Sequence, residues 1–171
     1  QSEYSYGRSI FACQDTPTVK CPYEAVVRTD GIYTAYMSAD VVKSIPGETH
    51  FEQKMPVPSY LISICVGVLA EKFVSDRCSV ISEPSHLEFC ANEFIDTEKF
   101  LTTAEAILFP YPLKHYKIIV LPPSFAYGGM ENPVTTFVTP SIVIGDKSAI
   151  NVVCHEIAHS WTGNLVTNMN W

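Results

Sequence analysis

Residues 151–164 read NVVCHEIAHSWTGN, and within them His155, Glu156 and His159 form the pattern H-E-x-x-H. On a helix, residues four apart lie on one face about one turn from each other, so the two imidazoles can converge on a single point. Neutral imidazole at two corners of a tetrahedron suits Zn²⁺ at about 2.0–2.1 Å. Glu156, turned roughly 100° around the helix from His155, can reach a water at that point and is the natural general base. Ser148, Val152, His155, His159 and Thr162 project to one side of this helix, and Ile150, Val153, Ile157 and Trp161 to the other, which predicts the buried stripe. Asp146 or Ser148 is expected to cap its start, and Gly163-Asn164 to end it.

The 171 residues are 47% apolar, enough for a substantial core, and carry a net charge of −7. No basic run and no interleaving of basic and aromatic residues occurs, which argues against nucleic acid as a partner. The longest apolar run, residues 60–70, is too short to span a bilayer, and no charged-then-apolar leader is visible at the start. The six cysteines, Cys13, Cys21, Cys65, Cys78, Cys90 and Cys154, include no C-x-x-C pair and are expected to be buried free thiols. No N-x-S/T sequon is present either, so a reducing, cytoplasmic setting without membrane attachment is expected.

Upstream, residues 9–77 read as β-structure: 23–29, 32–39, 50–55 and 60–73 are β-branched and aromatic runs separated by Asp30-Gly31, Pro46-Gly47-Glu48 and 56–59. Residues 23–28 alternate as a half-buried strand, whereas 60–73 is continuously apolar and is expected to be covered on both faces. A short strand at 78–81 precedes a helical region that Pro84-Ser85 opens and Pro110-Tyr111-Pro112 closes, with Asp96 or Thr97 as a second cap. The change from strands to helices near residues 72–84 predicts a domain boundary, dividing 1–73 from 74–171 in an α+β chain.

Residues 116–121 and 135–144 read as extended segments, and between them runs Pro122-Pro123-Ser124-Phe125-Ala126-Tyr127-Gly128-Gly129-Met130-Glu131-Asn132-Pro133. The paired glycines leave room for another backbone, and Glu131 places a carboxylate beside that opening. An edge strand that pairs with a bound peptide is expected, with Glu131 meeting an ammonium.

Gly128-Gly129-Met130-Glu131-Asn132 together with the run HEIAHSWTGNLVT at 155–167 resembles the M1 (gluzincin) zinc aminopeptidases. The longer run at 122–133 and Cys13-Gln14-Asp15-Thr16-Pro17 are similar to the branch holding leukotriene A4 hydrolase and aminopeptidase B. The resemblance implies the end of an N-terminal all-β, saddle-like domain over 1–73, followed by the first part of a thermolysin-like α/β catalytic domain over 74–171. It implies His155 and His159 as Zn²⁺ ligands, Glu156 as general base, and Glu131 as the group that recognises the free α-amine of a peptide. Gly128 and Gly129, with Tyr127, Met130 and Asn132 beside them, would line the substrate. Gln1-Ser2-Glu3 resembles the family's Q-x-E/Q element, so Gln1 and Glu3 would add to amine binding; glutamate rather than glutamine at the third position favours peptide amines. The family's third zinc ligand, nineteen residues after the second histidine, its later tyrosine and its α-helical C-terminal domain all fall beyond Trp171. The chain therefore reads as a truncated piece that lacks the remainder of its own catalytic and C-terminal domains. Lipid epoxide hydrolysis, as in one member of the branch, and an inactive peptide-binding scaffold are the alternative expectations.

Overall fold

The computed structural model describes residues 6–171, so Gln1 and Glu3 lie outside the described residues. Among the described residues, ten strands and three α-helices form an α+β arrangement of three sheets. Strands β1 (Lys20–Arg28), β4 (Glu48–Pro58) and β3 (Asp40–Ile45) pair antiparallel in that order. The β1–β4 register jumps between Cys21 and Tyr23, at Pro22, where a missing N–H interrupts the ladder. The expected alternation along β1 is observed, with Tyr23, Ala25 and Val27 half-buried and Glu24, Val26 and Arg28 exposed.

Two expectations for this half are corrected. Residues 60–73 are not one doubly covered strand. A 3-10 turn at Ser59–Leu61 leads into β5 (Ile64–Gly67), which pairs with β2 (Thr34–Met37), and a turn precedes β6 (Ala70–Phe73). Ile64 and Val66 are about half exposed, so the apolar run reflects alternation between two partly open faces. Strand β3 was not expected, because its Asp40, Lys43 and Ser44 dilute the pattern and pairing with β4 supplies what propensity does not.

The sheet that carries the site has the order β6-β7-β8-β10-β9. Strands β7 (Cys78–Ser82), β8 (Tyr116–Val120) and β10 (Thr135–Val138) run parallel, with β6 and β9 (Gly129–Met130) antiparallel at the edges. The double coverage expected of 60–73 belongs to β7, buried along its whole length. Helices α1 (Leu87–Glu93), α2 (Thr97–Ile107) and α3 (Asn151–His159) cover one face, where Val80, Phe94, Leu101, Ile118, Val138, Val153, Ile157 and Trp161 form the main core. Tyr36, Ile81 and Ile119 close the other face against β2 and β5. The sheet thus begins at Ala70 and already includes four residues of the 1–73 portion.

The segment expected to be extended over 135–144 stops at Val138. Thr139 then accepts the Ser141 N–H through its hydroxyl, and Pro140 opens a 3-10 turn. Asp96 does precede α2, but its carboxylate is held by Lys99 and Lys147 and caps no backbone N–H. All six cysteines are free; only Cys78 and Cys90 are buried, whereas Cys21 and Cys154 are exposed. No helix among the described residues is long and apolar enough to cross a membrane.

Candidate metal and peptide site

Helix α3 forms where the H-E-x-x-H pattern predicts it, with Val153, Ile157 and Trp161 at 2% exposure or less on the buried stripe. The expected cap is absent. Asp146 closes a local turn on the Ser148 N–H (2.9 Å), and Ile150 precedes the helix with no side-chain cap. A clamp on the lead-in loop takes its place: Glu93, 1% exposed, accepts the N–H groups of Gly145 and Lys147 at 2.9 Å each, and Lys147 Nζ binds Asp96 at 2.8 Å. Gly145 and Lys147 both have positive φ, so the loop turns sharply just before the helix starts.

His155 and His159 converge as their spacing requires. Their Nε2 atoms lie 3.1 Å apart and the rings cross at 87°. Two nitrogens at tetrahedral corners about 2.0–2.1 Å from one Zn²⁺ stand about 3.3 Å apart, so the observed 3.1 Å separation suits a shared divalent ion with a slightly closed angle. His159 Nδ1 donates to the Thr162 carbonyl at 2.9 Å, which leaves the Nε2 lone pair of the neutral ring free for a ligand bond. Gly163, at φ +151°, lets the chain turn tightly against this imidazole: a Cβ there would meet His159 Nδ1 at 3.0 Å.

Strand β9 brings the second half of the site. Met130 pairs with Phe137 and Gly129 with Val138, and residues opposite each other in an antiparallel pair share a face. Phe137 packs on the side of β2 and β5, and Val138 on the side of the helices. Met130 therefore faces away from α3 and Gly129 towards it. With Tyr127 and Asn132, Met130 borders an apolar cavity of about 1010 Å³ that Tyr23, Met37 and Val57 close from the other side. Gly129 faces the carboxylate of Glu156, which fills the space a side chain at 129 would need. Gly128 is exposed; its carbonyl accepts the Thr139 N–H at 3.0 Å.

Ligand atoms of Glu131, Glu156 and His159 all lie within 4.8 Å of one another. Glu156 is 5% exposed, and burial, reinforced by the Glu131 carboxylate, pushes its pKa up to about 8. Two carboxylates and the His159 imidazole thus form one cluster, and His155, exposed and outside that cluster, joins it through its 3.1 Å approach to His159; oxygen and imidazole donors of this kind suit a divalent cation. The sequence marks Asn164 only as a turn residue, yet its Nδ2 donates to the Glu131 carbonyl at 2.8 Å and its N–H to the His159 carbonyl at 2.9 Å. Lys20 of β1 donates to the carbonyls of Asn164 (2.9 Å) and Leu165 (3.1 Å). No local pattern marks these bonds, since they join segments up to 145 residues apart.

Residues 93–171 match the Peptidase family M1 domain. Over its whole length the chain is 45% identical to leucine aminopeptidase 2-1 of Meyerozyma guilliermondii, covering 28% of that protein. It is likewise 45% identical to aminopeptidase B of Mus musculus, covering 27%. Among solved structures, native yeast LTA4 hydrolase superposes with a TM-score of 0.94 at 43% identity, over 99% of this chain and 27% of that one. The same hydrolase in complex with bestatin gives a TM-score of 0.93, covering 96% and 26%. The chain spans a little over a quarter of the length of these relatives.

Proposed function

Because this chain belongs to the M1 peptidase family, we propose that it supplies the amine-recognition strand and the two-histidine half of the centre of a zinc aminopeptidase. The substrates are peptides with a free N-terminus. The observation that carries this reading is the convergence of the His155 and His159 Nε2 atoms, with Glu131 and Glu156 clustered on His159. Zn²⁺ held by the two histidines would polarise the scissile carbonyl and lower the pKa of a water to about 7.

The chain's own residues do the rest. An extended peptide adds to the edge of β9 that no described residue pairs with, and the Glu131 carboxylate pairs with its terminal ammonium, so the first peptide bond is the one presented. Glu156, whose buried carboxyl binds a proton readily, takes one from the attacking water and returns it to the leaving amine. The Thr162 carbonyl keeps the His159 ring in one tautomer and orientation.

Hydrolysis of aminoacyl-arylamides by the full-length protein tests this. Chelation and Glu156→Gln should each abolish turnover, and Zn²⁺ should restore it only in the wild type. Normal turnover by Glu156→Gln would overturn the mechanism, and stoichiometric zinc binding without any turnover would favour a peptide-binding scaffold.

A further inference from the structure

We infer that Asn164 is a positioning residue that sets Glu131 against the metal-binding helix, a role that rests on the reading of Glu131 as the amine-recognition group. It is the residue that hydrogen-bonds the main chain of both partners: its carboxamide Nδ2 donates to the Glu131 carbonyl (2.8 Å) and its own N–H to the His159 carbonyl (2.9 Å). Glu131 directly follows β9 and His159 ends α3, two elements that meet at the edge of the sheet. Strand β9, which ends one residue before Glu131, is two residues long and, among the described residues, paired on one side only, so its ladder does little to hold Glu131 in place.

The burial of Asn164 fits this role. The residue is 2% exposed, and its Oδ1 has no hydrogen-bond partner among the described residues. An unpaired buried acceptor destabilises a fold, so stability alone would favour an apolar side chain of similar shape. What an apolar residue cannot supply is the donor to Glu131. The turn that carries Asn164 is itself braced: Thr167 Oγ1 donates to its carbonyl at 3.2 Å, and Lys20 Nζ reaches the same carbonyl from β1. The donor therefore projects from a braced turn rather than from a loose loop.

A double-mutant cycle in the full-length protein, read with an aminoacyl-arylamide, separates positioning from general support. Asn164→Leu keeps the branching and removes the donor. It should raise KM about tenfold when Glu131 is present and less than about twofold beside Glu131→Gln, with zinc content unchanged. Equal losses in both backgrounds would overturn the inference. Should Glu131→Gln leave KM unchanged, the amine-recognition reading fails on its own, and amide exchange then decides the positioning role. Protection at Met130 and Glu131 falling about tenfold or more in Asn164→Leu supports it, and unchanged protection overturns it. If Asn164→Leu does not fold, the wild type decides: carboxamide protons of Asn164 that exchange more slowly than those of exposed asparagines support the bond, and free exchange removes it.

Discussion

Glu156 occupies the space that a side chain on Gly129 would need: a Cβ built there would lie 2.5 Å from the carboxyl carbon of Glu156 and closer still to Oε1. The edge strand and the H-E-x-x-H helix interlock at this point, with the Glu156 carboxylate fitted against bare backbone. Glu156 is 5% exposed, so its side chain has no open solvent into which to retreat. A methyl group at 129 must therefore move either the carboxylate or the strand.

Gly129→Ala should accordingly lower kcat/KM by about 100-fold or more, because a base displaced by a fraction of an ångström loses its alignment. The backbone at 129 lies outside the left-handed region, so the stability cost should stay within about 1–3 kcal/mol of overpacking. Steady-state kinetics beside a thermal melt check both parts. Near-normal turnover would mean that the carboxylate has room to spare.

Gly163→Ala acts on the imidazole rather than the base. Its Cβ would press on His159 Nδ1 at 3.0 Å and on the His159 carbonyl at 3.2 Å, at a φ of +151° that side chains rarely adopt. The bond from Nδ1 to Thr162 should loosen, and zinc affinity should fall about 10-fold or more. Competition with a chromophoric chelator measures it, and unchanged affinity would show that this bond does not orient the ring.

The raised pKa of Glu156 gives the metal-free protein a pH signature. Its folded value near 8 lies above the ordinary carboxyl value of 4.5, so its contribution to stability is fully present below about pH 4.5 and is lost as pH rises through 8. Glu156→Gln removes the ionisation. The chelated variant should be more stable than chelated wild type at pH 8, by a few kcal/mol at most, with the gap closing towards pH 5. Urea melts at the two pH values test this, and a gap independent of pH would refute it.

A second pH dependence, of opposite sign, sits at the back of the sheet. Arg77 binds Glu105 through both terminal nitrogens (2.9 and 2.7 Å) and Glu98 through Nε (2.9 Å), tying the start of β7 to α2. The Arg77 bonds, with the Tyr111 N–H, hold Glu105 down at about 2. That stabilisation is present above the ordinary value of 4.5 and lost as pH falls towards 2. Because these groups are partly exposed, Arg77→Met should cost about 1–2 kcal/mol at pH 7 and much less at pH 3. Denaturant midpoints at the two pH values give the answer.

The features legible from residue order were those set by local periodicity. The i, i+4 histidines, the Val153–Ile157–Trp161 stripe and the alternation along β1 are repeats within single elements, and each is found where it was read. The misreadings share a cause. Residues 60–73 looked like a buried strand because apolar content does not tell which faces find a partner, and in the fold it is β7 that lies between helices and a second sheet. Asp146 looked like a cap because capping residues also close turns, and the loop was already held by Glu93, 52 residues earlier.

Residue order alone thus set two imidazoles on one side of a helix, since residues four apart at 3.6 per turn share a face, with Glu156 about 100° round from His155. It also established that Gly128-Gly129 would open a backbone near an acidic side chain. That Gly129 is the cradle of Glu156, that Met130 turns to the opposite face, and that Asn164 spans from His159 to Glu131 were decided by the tertiary structure. These relationships depend on strand order and on contacts across 27 to 33 residues, where chain connectivity exerts no geometric constraint and packing of the whole sheet sets which atoms meet.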